Sequence, residues 1–302
     1  MVGIHTTLTP HHHENSYRII HTIIDAIIKC AVPIFLAISA YFMAQKELDS
    51  RSKIYSFYRK YIPPIYIPCL IWCIPICICS YIDSGGELRH LRALFLCRWY
   101  YFGLLIIQFY LLLPLLKRLN RFIWVIAAWA ITTICNIIIY RFSLYDYIFS
   151  LGPFPAWILY YMLGIWLSKQ NLNYSPTTPI IIAITILTLA YINESLNLDF
   201  GLWEYVRHMC ILPTAIIFII FSKKTEFCYR TTTASRPIER IGKMSFGIYL
   251  IHFYIIWFIL DYINFESWIP KWTVTLLLSI IFIQFVKLIT PRKIATNLLG
   301  FR

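Results

Sequence analysis

The sequence predicts an all-α protein, a polytopic transmembrane helical bundle, on three observations. First, 59% of the 302 residues are hydrophobic and only 14% are charged, whereas a soluble domain is roughly 45–50% apolar and about 25% charged. Second, apolar stretches of the length that crosses a bilayer, about 20 residues, recur along the whole chain. Third, 10 Trp, 22 Tyr and 21 Phe suit two aromatic-rich membrane interfaces. We therefore expect one integral-membrane domain over residues 1–302.

The length criterion gives nine full spans, at residues 19–44, 61–82, 99–116, 122–140, 153–168, 178–193, 205–222, 241–262 and 272–290. Before them, MVGIHTTLTP is too short to span and lacks a signal-peptide pattern. We interpret it as the outer end of a truncated first helix. Four prolines crowd the second span and predict a kinked or broken helix, namely Pro63, Pro64, Pro68 and Pro75.

The distribution of charge predicts how the bundle is oriented. Alternate loops carry more than twice as many Lys and Arg residues as the loops on the other side. Cytoplasmic loops carry such an excess, so the basic side and the C-terminus are predicted to be cytoplasmic. The net charge of +13 is then a topology signal, and nucleic acid is not an expected partner. The predicted location is the inner (plasma) membrane.

Three polar side chains share one face of the span 241–262. Ser245, Tyr249 and His252 follow an i, i+4, i+7 spacing, which aligns them on a helix. An ionisable residue inside a span is costly and points to a functional site. His252 either lines a substrate path or holds its helix against a neighbour through a buried hydrogen bond.

Two further groups of polar residues lie near the start of the chain. His5 follows apolar residues at a helix end, where a neutral imidazole suits a general base; a structural or interfacial histidine is the alternative. His21, Asp25 and Lys29 are spaced by four. They form either an interfacial ion-pair ladder or a site in which Asp25 orients a histidine or holds a polar substrate.

Basic residues mark two span ends. Arg59 and Lys60 precede the Pro63-Pro64 pair and suit either phosphate binding or cytoplasmic anchoring. Arg98 precedes Trp99 and is either an interfacial anchor or a substrate ligand.

Neither the cysteines nor the histidine run predicts a metal site. Cys69, Cys73 and Cys77 form a stripe without His or carboxylate partners, which favours close helix packing. The run His11–His13 fits a solvated loop.

Six segments in a fixed order carry a family resemblance. They are VGIHTT, AVPIFLAISAYFMA, FYRKYIPPIYIP, RWYYFGLLIIQFYLLLPLLKRL, WILYYMLGIWLS and IERIGKMSFGIYLIH. Together they resemble the integral-membrane acyltransferase-3 family, whose members O-acylate surface and periplasmic carbohydrates. The resemblance covers nearly all of the chain and is strongest to the branch that includes the O-acetyltransferase of enterobacterial common antigen.

The resemblance implies about ten helices, here nine full spans plus the truncated first helix, and an enzyme without a bound cofactor. The acyl group, acetyl or succinyl, would come from cytoplasmic acyl-CoA, such as acetyl-CoA, and go to a hydroxyl of a surface or lipid-linked glycan. His5 occupies the place of the family's essential histidine and would act as general base. Arg59 and Lys60 would contact the CoA phosphates, while Arg98, Tyr249 and His252 would line the glycan side.

The chain departs from the family pattern in four ways. The arginine found early in the family's first helix has no counterpart in the sequence. Lys60 stands where an arginine is usual, Arg98 where a histidine often precedes the tryptophan, and Ala40 where a glycine usually follows Ser39. Two other functions therefore stay open: a transporter or flippase for glycans or acyl donors, and an inactive partner of a glycan-synthesis complex.

Overall fold

The computed structural model describes residues 31–85, 94, 97, 100–142, 154–170, 235–260 and 268–301. Within these ranges every regular element is helical. The helices, in chain order, are α1 (Ala31–Met43), α2 (Arg51–Tyr61), α3 (Pro63–Asp83), α4 (Tyr101–Leu116), α5 (Phe122–Arg141), α6 (Ile158–Leu167), α7 (Ser235–Ile255), α8 (Trp268–Ile289) and α9 (Arg292–Asn297). A 3₁₀ turn (Phe154–Trp157) precedes α6, and a π-helical segment (Ile256–Leu260) extends α7.

The described helices coincide with most of the predicted spans. Four helical stretches are long and apolar enough to cross a membrane, at Arg51–Asp83 (α2 together with α3), Phe122–Ile139, Glu239–Leu260 and Pro270–Ile289. Three shorter apolar helices lie at Ala31–Met43, Tyr101–Leu116 and Phe154–Leu167. The chain is accordingly a multi-pass membrane protein. The predicted spans 178–193 and 205–222 lie outside the described residues, and the total of nine stays a prediction.

The prolines of the second span produce a boundary between two helices. α2 ends at Tyr61, and α3 begins with Pro63 at its first position. Proline lacks a backbone N–H, which the first position of a helix does not need. Pro68 and Pro75 lie inside α3, where a membrane helix tolerates them.

The described residues fall into two compact units, and the single domain over residues 1–302 stays a prediction. One unit contains residues 31–54, 108–142 and 154–170. Here α6 is almost entirely buried and packs against α1 and α5. The close approach of α1 and α6 depends on Gly164, because a Cβ there would lie 2.2 Å from the carbonyl oxygen of Ala37. Small residues permit such contacts between membrane helices.

The other unit contains residues 55–85, 94, 97, 100–107, 235–260 and 268–301. Apolar side chains of α7 and α8 form its core, together with Phe301 from the segment after α9. Gly300 has φ 74° and turns the backbone so that Phe301 packs against Gly247 of α7. The indole N–H of Trp72 in α3 donates to the carbonyl oxygen of Leu299 at 3.1 Å.

Candidate functional site

Four of the predicted site residues are among the described residues, and three are not. Arg59 and Lys60 lie in the last turn of α2, and Tyr249 and His252 lie in α7. His5, Asp25 and Arg98 lie outside the described residues. The predicted helix over residues 241–262 is observed as α7 and its π-helical extension, and it places Tyr249 and His252 on one face, with ring centroids 6.0 Å apart.

Tyr249 lies at the centre of a buried aromatic cluster. Its side chain is 6% exposed, and its ring makes edge contacts with Tyr100 and Phe102, at centroid distances of 5.6 and 5.8 Å. The ring centroid of Phe246, one turn earlier in α7, lies 6.2 Å from that of Tyr249. Because α4 begins at Tyr101, the cluster joins the middle of α7 to the first turn of α4.

The hydroxyl of Tyr249 belongs to a side chain that is buried beside the start of α4. Over the described ranges, that hydroxyl has no hydrogen bond partner. Gly103 packs closely on α3, since a Cβ there would lie 2.7 Å from Sγ of Cys69.

His252 is fixed through one of its two ring nitrogens. Nδ1 lies 2.6 Å from the carbonyl oxygen of Tyr249 and 3.2 Å from that of Ile248. A carbonyl oxygen only accepts, so Nδ1 carries the proton and Nε2 is the nitrogen with an accepting lone pair in the neutral ring. The side chain is 2% exposed, and the π-helical segment begins four residues later. Such segments are rare in proteins overall, and those that occur are often found at functional sites.

Tyr100 also belongs to this cluster, although the sequence did not predict it as a site residue. It is 1% exposed, and its hydroxyl donates to the carbonyl oxygen of Leu250 at 2.6 Å. In the sequence it belongs to an aromatic run that is typical of a membrane interface. Its partner is 150 positions away, so no local signal indicates that it is buried.

The predicted phosphate ligands are exposed. Arg59 and Lys60 lie in the last turn of α2, and the ammonium of Lys60 lies 5.5 Å from the ring centroid of Tyr61. Consecutive helical residues do not face each other, so the two charges diverge around the helix. Cations near a helix C-terminus interact favourably with the helix dipole. This interaction favours basic residues at both positions whether or not a phosphate binds there.

The cysteine stripe packs inside the bundle. Cys69, Cys73 and Cys77 are buried along α3, and Cys97 is buried as well. In the part of the chain that the structure describes, no three His, Cys, Asp or Glu side chains converge as metal ligands.

A family model described as an acyltransferase domain, acyltransferase-3, matches residues 1–287. The match includes α1 to α7, most of α8, and all seven predicted site residues. No curated protein and no solved structure matches the chain.

Proposed function

The chain belongs to the acyltransferase-3 family, and from that premise we propose that it O-acylates a glycan at the membrane. The donor is acyl-CoA on the cytoplasmic side, and the transferred group is acetyl or succinyl. The acceptor is a hydroxyl of a surface or lipid-linked glycan, as in the branch that acylates enterobacterial common antigen. The protein then lies in the inner membrane with a cytoplasmic C-terminus.

The observation that carries this proposal is the buried pair Tyr249 and His252 within the matched region. Both side chains are more than nine-tenths buried on a helix that is apolar enough to cross a membrane. Buried polar groups in a membrane helix are costly and mark substrate paths. The position of this pair supports a reaction centre inside the bilayer, with the glycan hydroxyl approaching from the α7 side.

Arg59 and Lys60 are the proposed binding residues for the acyl donor. Both are exposed at the end of α2, immediately before the helix boundary at Pro63. An arginine binds phosphate through a planar pair of N–H groups, and a lysine binds it as a point charge. The two residues are therefore proposed to hold the phosphates of acyl-CoA, with Arg59 providing the directional contact.

The reaction needs a base for the attacking hydroxyl. We assign this role to His5, which takes the proton as the glycan oxygen attacks the thioester carbon. A C–O bond forms, the C–S bond breaks, and the CoA thiolate takes the proton from His5 and leaves as the free thiol. A correctly positioned base contributes roughly 10²–10⁴-fold to the rate.

A thiol-release assay tests the proposal. Purified protein in liposomes is given acetyl-CoA with and without a lipid-linked or surface glycan, and free thiol is measured over time. We expect thiol release that depends on the glycan, and a glycan product heavier by one acetyl group in mass spectrometry. His5→Ala should slow release by about 10²–10⁴-fold.

The matched control is His11→Ala, which removes an imidazole from the nearby histidine run and should leave the rate unchanged. Full activity of His5→Ala would assign the base to another residue. If the wild-type chain consumes no thioester although glycan is present, the protein is instead a carrier of glycans or an inactive partner.

A further inference from the structure

Tyr249 lies beside the N-terminal turn of α4. The first N–H groups of an α-helix have no partner inside the helix, and they carry the positive end of its dipole. α4 has 16 residues and begins at Tyr101. The ring of Tyr249 contacts the rings of Tyr100 and Phe102 at this end. The Tyr249 ring therefore lies beside the positive end of this helix dipole.

The hydroxyl of Tyr249 has one proton to donate. The side chain is more than nine-tenths buried, where a hydrogen bond is electrostatically stronger than in water. The described ranges supply no acceptor for that proton. A buried hydroxyl without an acceptor costs free energy, and phenylalanine would fill the same space without that cost. The hydroxyl is thus better suited to a ligand oxygen than to packing.

We propose that Tyr249 donates this hydrogen bond to the carbonyl oxygen of the acyl group during transfer, which makes it a catalytic residue. The inference rests on the proposed acyl transfer and names a second participant in it. An acyl carbonyl becomes an oxyanion when a hydroxyl attacks it. Donors that are positioned in advance, at the positive end of a helix and away from water, stabilise such an oxyanion strongly.

The electron and proton movements follow directly. The glycan oxygen forms a bond to the thioester carbon, and the carbonyl π electrons move onto the carbonyl oxygen, which accepts the hydrogen bond from Tyr249. The proton of the glycan hydroxyl goes to the base. When the carbonyl re-forms, the C–S bond breaks and the CoA thiolate takes up the proton that the base had accepted. Tyr249 gives up no proton in the cycle and stabilises charge only.

The test is Tyr249→Phe in the full chain, with acetyl-CoA and glycan in the thiol-release assay. We expect kcat to fall by about 10²–10³-fold, as for other oxyanion donors, with the KM for acetyl-CoA unchanged. A donor that acts only in the transition state lowers kcat without changing ground-state binding. The melting temperature should stay equal or rise, because the substitution removes a buried hydroxyl without an acceptor.

Tyr100→Phe is the matched control, because it removes a hydroxyl from a neighbouring buried tyrosine. That hydroxyl donates to the carbonyl oxygen of Leu250, so its loss should lower the melting temperature and leave kcat within about threefold, below the 10²-fold loss typical of an oxyanion donor. The two variants therefore separate a catalytic hydroxyl from a structural one.

Three results overturn the inference. One is an unchanged kcat in Tyr249→Phe while the wild-type chain is active. Another is a lower melting temperature in Tyr249→Phe, which would show a structural acceptor for the hydroxyl. The third is a wild-type chain that releases no thiol, which overturns the proposed acyl transfer as well and so differs from the first two.

Discussion

Position 164 has no room for a side chain. A Cβ there would lie 2.2 Å from the carbonyl oxygen of Ala37 and 2.8 Å from Cβ of Ala40. Neither atom can move without shifting α1. We expect Gly164→Ala to lower the free energy of unfolding by roughly 1–3 kcal/mol, as overpacking does. The measurement is the melting temperature in detergent, with unfolding monitored as the loss of soluble protein on heating.

Gly242 provides the control for this prediction. It also lies inside a helix, but a Cβ at this position would meet no atom within 4 Å. Gly242→Ala should therefore raise stability by up to about 1 kcal/mol through helix propensity alone. Equal effects of the two substitutions would contradict the idea that contact between α1 and α6 requires glycine.

At the scale of elements, the beginning of α6 depends on polar side chains of α5. The hydroxyl of Thr132 is fully buried, accepts from the N–H of Leu159 at 3.1 Å and lies 3.4 Å from the carbonyl oxygen of Pro155. The amide of Asn136 donates to the carbonyl oxygen of Ala156 at 3.4 Å. These contacts supply partners for backbone groups at the change from the 3₁₀ turn to α6, as membrane helices require.

Thr132→Val should therefore destabilise the protein by roughly 1–3 kcal/mol, because the Leu159 N–H loses its acceptor in a buried place. Chemical unfolding in detergent is the measurement. Thr133→Val is the control on the same helix, since the Thr133 hydroxyl donates to the carbonyl oxygen of Trp129 in its own helix. A loss of stability that is no greater for Thr132→Val than for Thr133→Val would show that the contact does not stabilise α6.

At the scale of the whole molecule, the fold uses residues beyond the family match. The match ends at residue 287, yet Phe301 is fully buried and contacts Trp72 and Phe282 at ring-centroid distances of 5.8 and 6.3 Å.

Phe301→Ala should lower the free energy of unfolding by about 3–5 kcal/mol, as the loss of other core phenylalanine side chains does. Leu298→Ala, at a position that is 41% exposed, should cost much less. Melting temperatures of the two variants compare them, and similar values would mean that residue 301 is not part of the core.

Part of the candidate site was predictable from the sequence. The spacing of Tyr249 and His252 placed them on one helical face, and their rings are in contact. The cysteine stripe lies along α3 as close packing predicts. The role of Tyr100 was not predictable, because its hydroxyl bonds to a residue 150 positions away. The functional roles of all seven predicted site residues stay predictions, and His5, Asp25 and Arg98 also lie outside the described residues.

The sequence by itself determined the membrane class, the positions of the described apolar helices and the family, because hydropathy, proline position and motif order are properties of the chain alone. Only the tertiary structure decided which buried hydroxyls have partners. Tyr100 and Tyr249 are both buried tyrosines in one cluster, yet only the Tyr100 hydroxyl meets a carbonyl acceptor among the described residues. A hydrogen bond depends on the distance and angle between two atoms, and residues far apart in the chain reach that geometry only when helices pack.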